Sequence, residues 1–298
     1  MKTESTIWSM QTPTKQPALN KLNQADMHIH SALGNPGTEW FLYYRQTASA
    51  FADRGITMLR DGGDPKGLNA EYRNVFADRG IRFLSPVTGI FKQGCYGKSL
   101  GRPVADLVQG LDAVRSLKKS GADLIKIFVT GIMSMKEYGC TDSQPPGFSK
   151  EELRAITAEA GEAGLTVMAH VNTPAAILTA VEAGVLSVEH GYGMNRECLS
   201  AMAESGIYWV PTMIPIRALA ESGHPPAWQY LREQQQAVRE AFTAGVQVVP
   251  GADSGSALVP HAASTVQEYR LLEECGFSEE QLTANALSLF ERTVSVLK

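Results

Sequence analysis

Seven times along this chain a helical stretch runs out, a glycine follows a small or basic residue, and an apolar run begins. The junctions are Arg54-Gly55-Ile56, Arg79-Gly80-Ile81, Ser120-Gly121-Ala122, Ala163-Gly164-Leu165, Ala183-Gly184-Val185, Ser205-Gly206-Ile207 and Ala244-Gly245-Val246. Glycine adopts the left-handed backbone that stops a helix without a steric cost, so each triplet marks a passage from helix to strand. With the opening run at 25–30 they predict eight strands, the others at 56–61, 82–88, 124–130, 166–171, 186–190, 207–212 and 246–252. Several of these runs are apolar without alternation, as strands covered on both faces are.

Helical signals fill the intervals. Leu107, Leu111, Val114 and Leu117 recur at helical spacing. Ser149 with Glu152, and Ser278 with Gln281, have the spacing of capping boxes, and Phe148 with Leu153 and Phe277 with Leu282 are placed to staple the same helix starts. Thr173 before Pro174 reads as another N-cap. Strict alternation of strand and helix predicts an α/β chain with a parallel sheet closed as a (β/α)8 TIM barrel.

At 298 residues and 44% hydrophobic content the chain can bury one such core, and no linker or low-complexity tract divides it. The expectation is a single domain over 1–298, with an N-terminal extension at 1–24 and C-terminal helices over 254–298. A net charge of -4 favours neither nucleic acid nor an anionic membrane as a partner. The chain has no apolar run of eighteen residues and no apolar core of a signal peptide near its start, so a cytoplasmic protein is expected. Its four cysteines are scattered without a Cys-x-x-Cys pair, which argues against a disulfide framework and against a thiolate zinc site. Whether the chain forms a homo-oligomer is left open.

The chemistry is carried by polar residues at strand ends. Residues two apart in a strand share a face, so His28 and His30 are expected to point together into the bore and to chelate one ion. His170 and His190 each close a predicted strand, where barrel active sites are built. His224 and His261 fall in predicted loops and are expected on the solvated surface. Asp253 closes the eighth predicted strand. Lys126 lies inside an apolar strand, where an ammonium is costly without a partner. A salt bridge would resolve this; so would carboxylation to a carbamate, whose two oxygens can each hold a metal. In the latter case a carbamate, Asp253 and a hydroxide return three of the four positive charges of two divalent ions, a centre still electrophilic enough to activate water.

In that order, over eight strands, the pattern resembles the amidohydrolase superfamily: a strand-one His-x-His, a strand-four lysine, strand-five and strand-six histidines and a strand-eight aspartate. The segments Gly121-Ala122-Asp123-Leu124-Ile125-Lys126, Ala183-Gly184-Val185-Leu186-Ser187-Val188-Glu189-His190-Gly191 and Gly251-Ala252-Asp253-Ser254-Gly255 look like its prolidase-like branch, related to imidazolonepropionases and Xaa-Pro or Xaa-Arg dipeptidases. The resemblance implies a pair of divalent ions, zinc first, with manganese or iron as alternatives. His28, His30 and Asp253 would hold the more buried ion, His170 and His190 the more exposed one, and carboxylated Lys126 would bridge them. Imidazolonepropionases generally lack the strand-four lysine, which favours a dinuclear, dipeptidase-like relative. Such relatives usually carry a β-sandwich built from both termini, for which this chain has no room.

The expected reaction is hydrolysis of a C–N amide or peptide bond in a small molecule, with Asp253 as proton shuttle beside a metal-bridging hydroxide and Lys126 as part of the catalytic centre. Lys92, Lys98 and Arg102 in the loop from Thr88, and Lys136 and Tyr138 in the loop from Thr130, surround the mouth. Such cations suit a carboxylate, hence a dipeptide or an N-acyl amino acid. Arg60, at a strand end, is a candidate substrate contact and better suited to a supporting role. Tyr192 is placed to hydrogen-bond a substrate carbonyl, and Met133, Met135 and Met213 to give apolar walls. Deamination, or hydrolysis of a lactone, ester or phosphotriester, would use the same site; a non-enzymatic scaffold would be expected to lose metal ligands, and here all six are in place.

Overall fold

A computed structural model describes residues 24–132, 147–256 and 258–296. Strands β1 (Gln24–Ile29), β2 (Ile56–Asp61) and β3 (Arg82–Leu84) form a three-stranded parallel sheet. A six-stranded parallel sheet holds β4 (Gly89–Lys92), β5 (Gly101–Val104), β6 (Ile125–Phe128), β7 (Val167–Val171), β8 (Ser187–His190) and β9 (Tyr208–Val210), in the order β5-β4-β6-β7-β8-β9.

The helices between them follow the expected alternation. They are α1 (Trp40–Ala52), α2 (Leu68–Glu71), α3 (Arg73–Ala77), α4 (Leu107–Lys119), α5 (Lys150–Glu162) and α6 (Pro174–Glu182). Then come α7 (Arg196–Ser205), α8 (Met213–Glu221), α9 (Pro226–Ala244), α10 (Ala263–Glu274) and α11 (Glu279–Ser295), of which the last two are the expected C-terminal helices. All seven junction glycines sit in the left-handed region, with φ between 62° and 82°. Both capping boxes form, at Ser149 and Ser278. Thr173 occupies the N-cap position of α6, but its side chain makes no cap bond, and its φ of 72° shows why: the backbone is turned away from the usual N-cap conformation.

The strands depart from the sequence reading in two places. The run predicted at 82–88 stops after Leu84, because Pro86 donates no hydrogen bond and Val87 takes a φ of 64°. The ladder resumes as β4 paired with β5, inside what reads as a loop. The run predicted at 246–252 forms no regular strand, only isolated bridges at Val248 and Ser254. Its backbone is nevertheless satisfied on two sides. Trp209 N donates to Gln247 O and Val249 N to Trp209 O; Met27 N donates to Pro250 O and Asp253 N to His28 O. The segment therefore lies between β9 and β1, the outer strands of the two sheets.

Apolar side chains between strands and helices form the largest core cluster, running from Ile90 through Val167, Val188 and Trp209 to Leu282. Phe148, Leu153, Phe277 and Leu282 belong to it, as the two staples require. A separate small cluster, Phe91, Leu100 and Phe128 with Leu33 and Tyr96 packed on it, lies beside the polar strand ends. No helix among the described residues is long and apolar enough to cross a membrane.

Candidate metal centre

β1 delivers two imidazoles to one face. The rings of His28 and His30 stand 5.4 Å apart between centroids, and their Nε2 atoms lie 3.5 and 3.3 Å from Oδ1 of Asp253. These three residues offer ligand atoms within 4.8 Å of one another. Asp253 is placed by its own backbone: its N–H donates to His28 O at 2.7 Å, His30 N donates to Ser254 O at 2.8 Å, and φ at Asp253 is 50°. Gly251 makes the approach feasible, since a Cβ there would lie 2.9 Å from His28 Cβ and 2.4 Å from Val210 Cγ1.

The other two histidines complete the ring. His170 and His190 lie 4.5 Å apart, and His190 is 4.9 Å from His28. His30 Nδ1 faces Gly63 O at 3.2 Å, His170 Nε2 faces Gly131 O at 3.2 Å, and His190 Nδ1 faces Thr212 Oγ1 at 2.7 Å. Such partners fix ring orientation and leave the second nitrogen of each ring for a ligand. His190, Thr212 and Asp253 all carry positive φ without being glycine, at 65°, 46° and 50°. Each such residue costs about 1–3 kcal/mol, and their gathering at one place is the pattern of a functional site.

Lys126 is fully buried on β6. The salt bridge that would have accounted for it is absent among the described residues; its Nζ lies 3.3 Å from His28 Nε2 and 5.3 Å from the centre of the Phe128 ring. Burial pushes its pKa down to about 8, with Glu189 and Asp253 opposing the shift. Burial also holds His170 down to about 3, and drives His28 and His190 well below the free imidazole value, with the charge of Lys126 adding to each. Neutral imidazoles, a carboxylate and an amine that loses its proton near neutrality are donors that a divalent cation of the zinc type accepts. These donors fit a divalent ion at His28, His30 and Asp253.

Much of the supporting structure escapes a reading of the sequence. Glu189 reaches Oε2 to within 2.8 Å of His28 Nδ1, and its Oε1 accepts from Arg60 Nη2 at 2.8 Å. Asp26 is fully buried and accepts from Ala252 N, His28 N and Thr265 Oγ1; burial raises its pKa to about 7. It thereby ties β1 to the turn before Asp253. Asp61 accepts from Ser31 N and Gly63 N, and holds the turn in which Gly62 faces His30. Asp26 was in principle legible, since it shares the period of two with His28 and His30. Glu189 was not: alternation places it opposite His190, and only the left-handed turn at His190 brings both to one side.

A cavity of about 330 Å³ opens over the centre and is lined by His30, Lys126, His170, His190 and Asp253 together with apolar residues. The proposed substrate contacts fare differently. Arg60 is 1% exposed, bonds Met27 O, Ser187 Oγ and Glu189, and does not line the cavity, in keeping with the supporting role for which the sequence suits it better. Lys92 is paired with Glu152 and does not line the cavity, nor do Lys98 and Arg102. Tyr192 does line it, but its hydroxyl donates to Thr212 O at 3.1 Å, so that group is directed at the protein. Tyr138, Lys136, Met133 and Met135 lie outside the described residues, as does nearly all of the 1–24 extension. Met213 is buried in the core cluster and does not line the cavity. His224 is exposed, as expected, whereas His261 packs its ring against Phe51 and meets Ser254 Oγ at 3.0 Å.

Strand-end histidines, a buried lysine and an aspartate thus gather at one end of the parallel strands. The chain matches the amidohydrolase family over residues 25–290 and belongs to it. It is 32% identical over 179 residues to ochratoxinase of Aspergillus niger, a stretch covering 54% of this chain and 37% of that protein. An uncharacterised Mycobacterium tuberculosis protein is 26% identical over 249 residues, covering 78% of this chain and 63% of its own length. The chain thus spans less than two thirds of the length of each of these relatives. Among solved structures, a Xaa-Pro dipeptidase with methionine in its active site superposes with a TM-score of 0.76 at 24% identity, over 92% of this chain and 75% of that one. The ochratoxinase structure gives 0.72 at 21% identity, over 88% and 69%. At these identities the two structures speak for the fold.

Proposed function

We propose that this chain is a dinuclear metallohydrolase that opens the C–N amide or peptide bond of a small substrate. The observation that carries the reading is the convergence of His28, His30 and Asp253 within 4.8 Å, with His170, His190 and Lys126 around the same cavity floor. Membership of the amidohydrolase family supports it, as do an ochratoxinase and a Xaa-Pro dipeptidase among the similar proteins. We infer with it that the two sheets close through the 247–254 segment as one (β/α)8 barrel domain.

His28, His30 and Asp253 would hold one divalent ion, His170 and His190 the second, and Lys126 as its carbamate both. When bound, such ions acidify a water and polarise a carbonyl. Lys126 suits carbamate formation because a pKa near 8 leaves a fraction of free amine at neutral pH. Asp253 is a quarter exposed toward the cavity and takes the proton of the attacking water, then returns it to the departing nitrogen. Asp26 and Glu189 do no proton transfer; they hold the turn before Asp253 and the ring of His28 in register.

The test is hydrolysis by protein loaded with zinc or manganese in bicarbonate, against dipeptides, N-acyl amino acids, neutral amides, lactones, esters and phosphotriesters. Cleavage of amides is the expected result. Turnover confined to lactones, esters or phosphotriesters contradicts it.

A further inference from the structure

The charged groups lie on the floor of the cavity, and its walls are mostly apolar, with the neutral Ser99, Asn172, Tyr192 and Ser256 among them. One wall is the small cluster set apart from the main core, in which Leu33, Leu100 and Phe128 reach the cavity. Another comes from α8, whose Ile216 and Leu219 line it, with Ile132 at the rim, 55% exposed. The α8 wall is held firmly: Glu268, buried on α10, accepts from Met213 N at 3.0 Å and Ile214 N at 2.9 Å, at the helix start.

Among the described residues Lys126 is the one cation on the lining, and it belongs to the floor. The remaining polar groups of the walls are neutral. Asn172 is committed, donating to Gly131 O and accepting from Tyr192 N. An ionised carboxylate lying on these walls would surrender its hydration and find no cationic side chain there among the described residues, whereas an apolar group gains by leaving water. Of the cations expected at the mouth, Lys92 is paired with Glu152, and neither it nor Lys98 nor Arg102 lines the cavity, while Lys136 lies outside the described residues.

We propose that this cavity selects substrates whose group beside the scissile amide is uncharged and apolar, of aromatic or branched-aliphatic kind, and discriminates against an ionised carboxylate at that place. The inference rests on the hydrolase reading and names its substrate class.

A matched pair tests it: N-(3-phenylpropanoyl)-leucine and N-(3-phenylpropanoyl)-3-methylbutylamine differ only by the carboxylate. The corresponding ketones, with a methylene in place of the amide N–H, cannot be hydrolysed and report binding to the zinc-loaded chain by calorimetry. The neutral amide is expected to show at least tenfold higher kcat/KM, and the neutral ketone at least tenfold tighter binding. Equal or better performance by the acid, or binding of neither ketone, overturns the proposal. If the neutral ketone binds as expected while neither amide is cleaved, the selectivity stands and the hydrolase reading falls. Ile132→Lys, at an exposed lining position, and Leu219→Arg each place a cation on a wall. Both are expected to move the ratio toward the acid by tenfold or more, and a ratio unchanged in both overturns the assignment of these walls.

Discussion

Glu189 stands between Arg60 and His28 in a fully buried row, with its Oε1 2.8 Å from the guanidinium and its Oε2 2.8 Å from the imidazole Nδ1. The carboxylate balances a charge that has no other acidic neighbour within ion-pair reach among the described residues, and it sets the ring that faces Asp253. Replacing it with alanine leaves Arg60 buried and unpaired, a change that costs about 3–5 kcal/mol. Glu189→Ala is therefore expected to lower the urea midpoint steeply, with Glu189→Gln intermediate. A midpoint within experimental error of wild type in the alanine variant would contradict the pairing.

Asp253 is reached by a different logic, since its carboxylate is partly open to the cavity. Asp253→Ala is expected to fold and to lose at least a hundredfold in kcat, within the range that general acid–base groups contribute. Steady-state kinetics beside metal analysis checks this. Activity near wild type at full metal content would remove the proton-shuttle role.

The turn at Gly62 packs directly against the ring of His30. A Cβ at this position would lie 2.4 Å from Cε1 and 2.9 Å from Nε2 of His30. Gly62→Ala must push the ring off its Gly63 hydrogen bond, and a tenfold or larger loss of zinc affinity follows. Competition with a chromogenic chelator measures it; unchanged affinity would show that His30 is not held by this contact.

His170 gives a pH signature in the metal-free chain. Its folded pKa is lowered to about 3 from 6.5 by burial first and by Lys126 second. Because the unfolded chain takes up this proton first, the contribution of His170 to stability is full above pH 6.5 and declines as pH falls toward 3. Histidine-selective NMR should find this ring neutral down to about pH 4. A midpoint near the free value would contradict its burial beside a cation.

The six polar side chains that meet at the cavity were more legible in the sequence than the strands that carry them. His28, His30, His170, His190, Lys126 and Asp253 could be picked out because a strand's period of two and its apolar neighbours make an interior polar residue conspicuous. The broken run after Leu84 and the β4–β5 pair were hidden, since a left-handed valine at 87 has no signature in composition. The surroundings of a loop cation are hidden for a related reason. Lys92 has the character of a substrate anchor until its distant partner Glu152 is seen, and no local pattern encodes a pairing across sixty residues.

The most direct test of the account counts ions on the reconstituted chain. After removal of metal and dialysis against zinc and bicarbonate, mass spectrometry of the digested protein should find two zinc ions per chain, with 13C-labelled bicarbonate giving a carbamate resonance that Lys126→Ala abolishes. In that variant the zinc content should fall to one or fewer. Less than one zinc per wild-type chain, or two zinc ions retained without Lys126, would contradict the dinuclear centre.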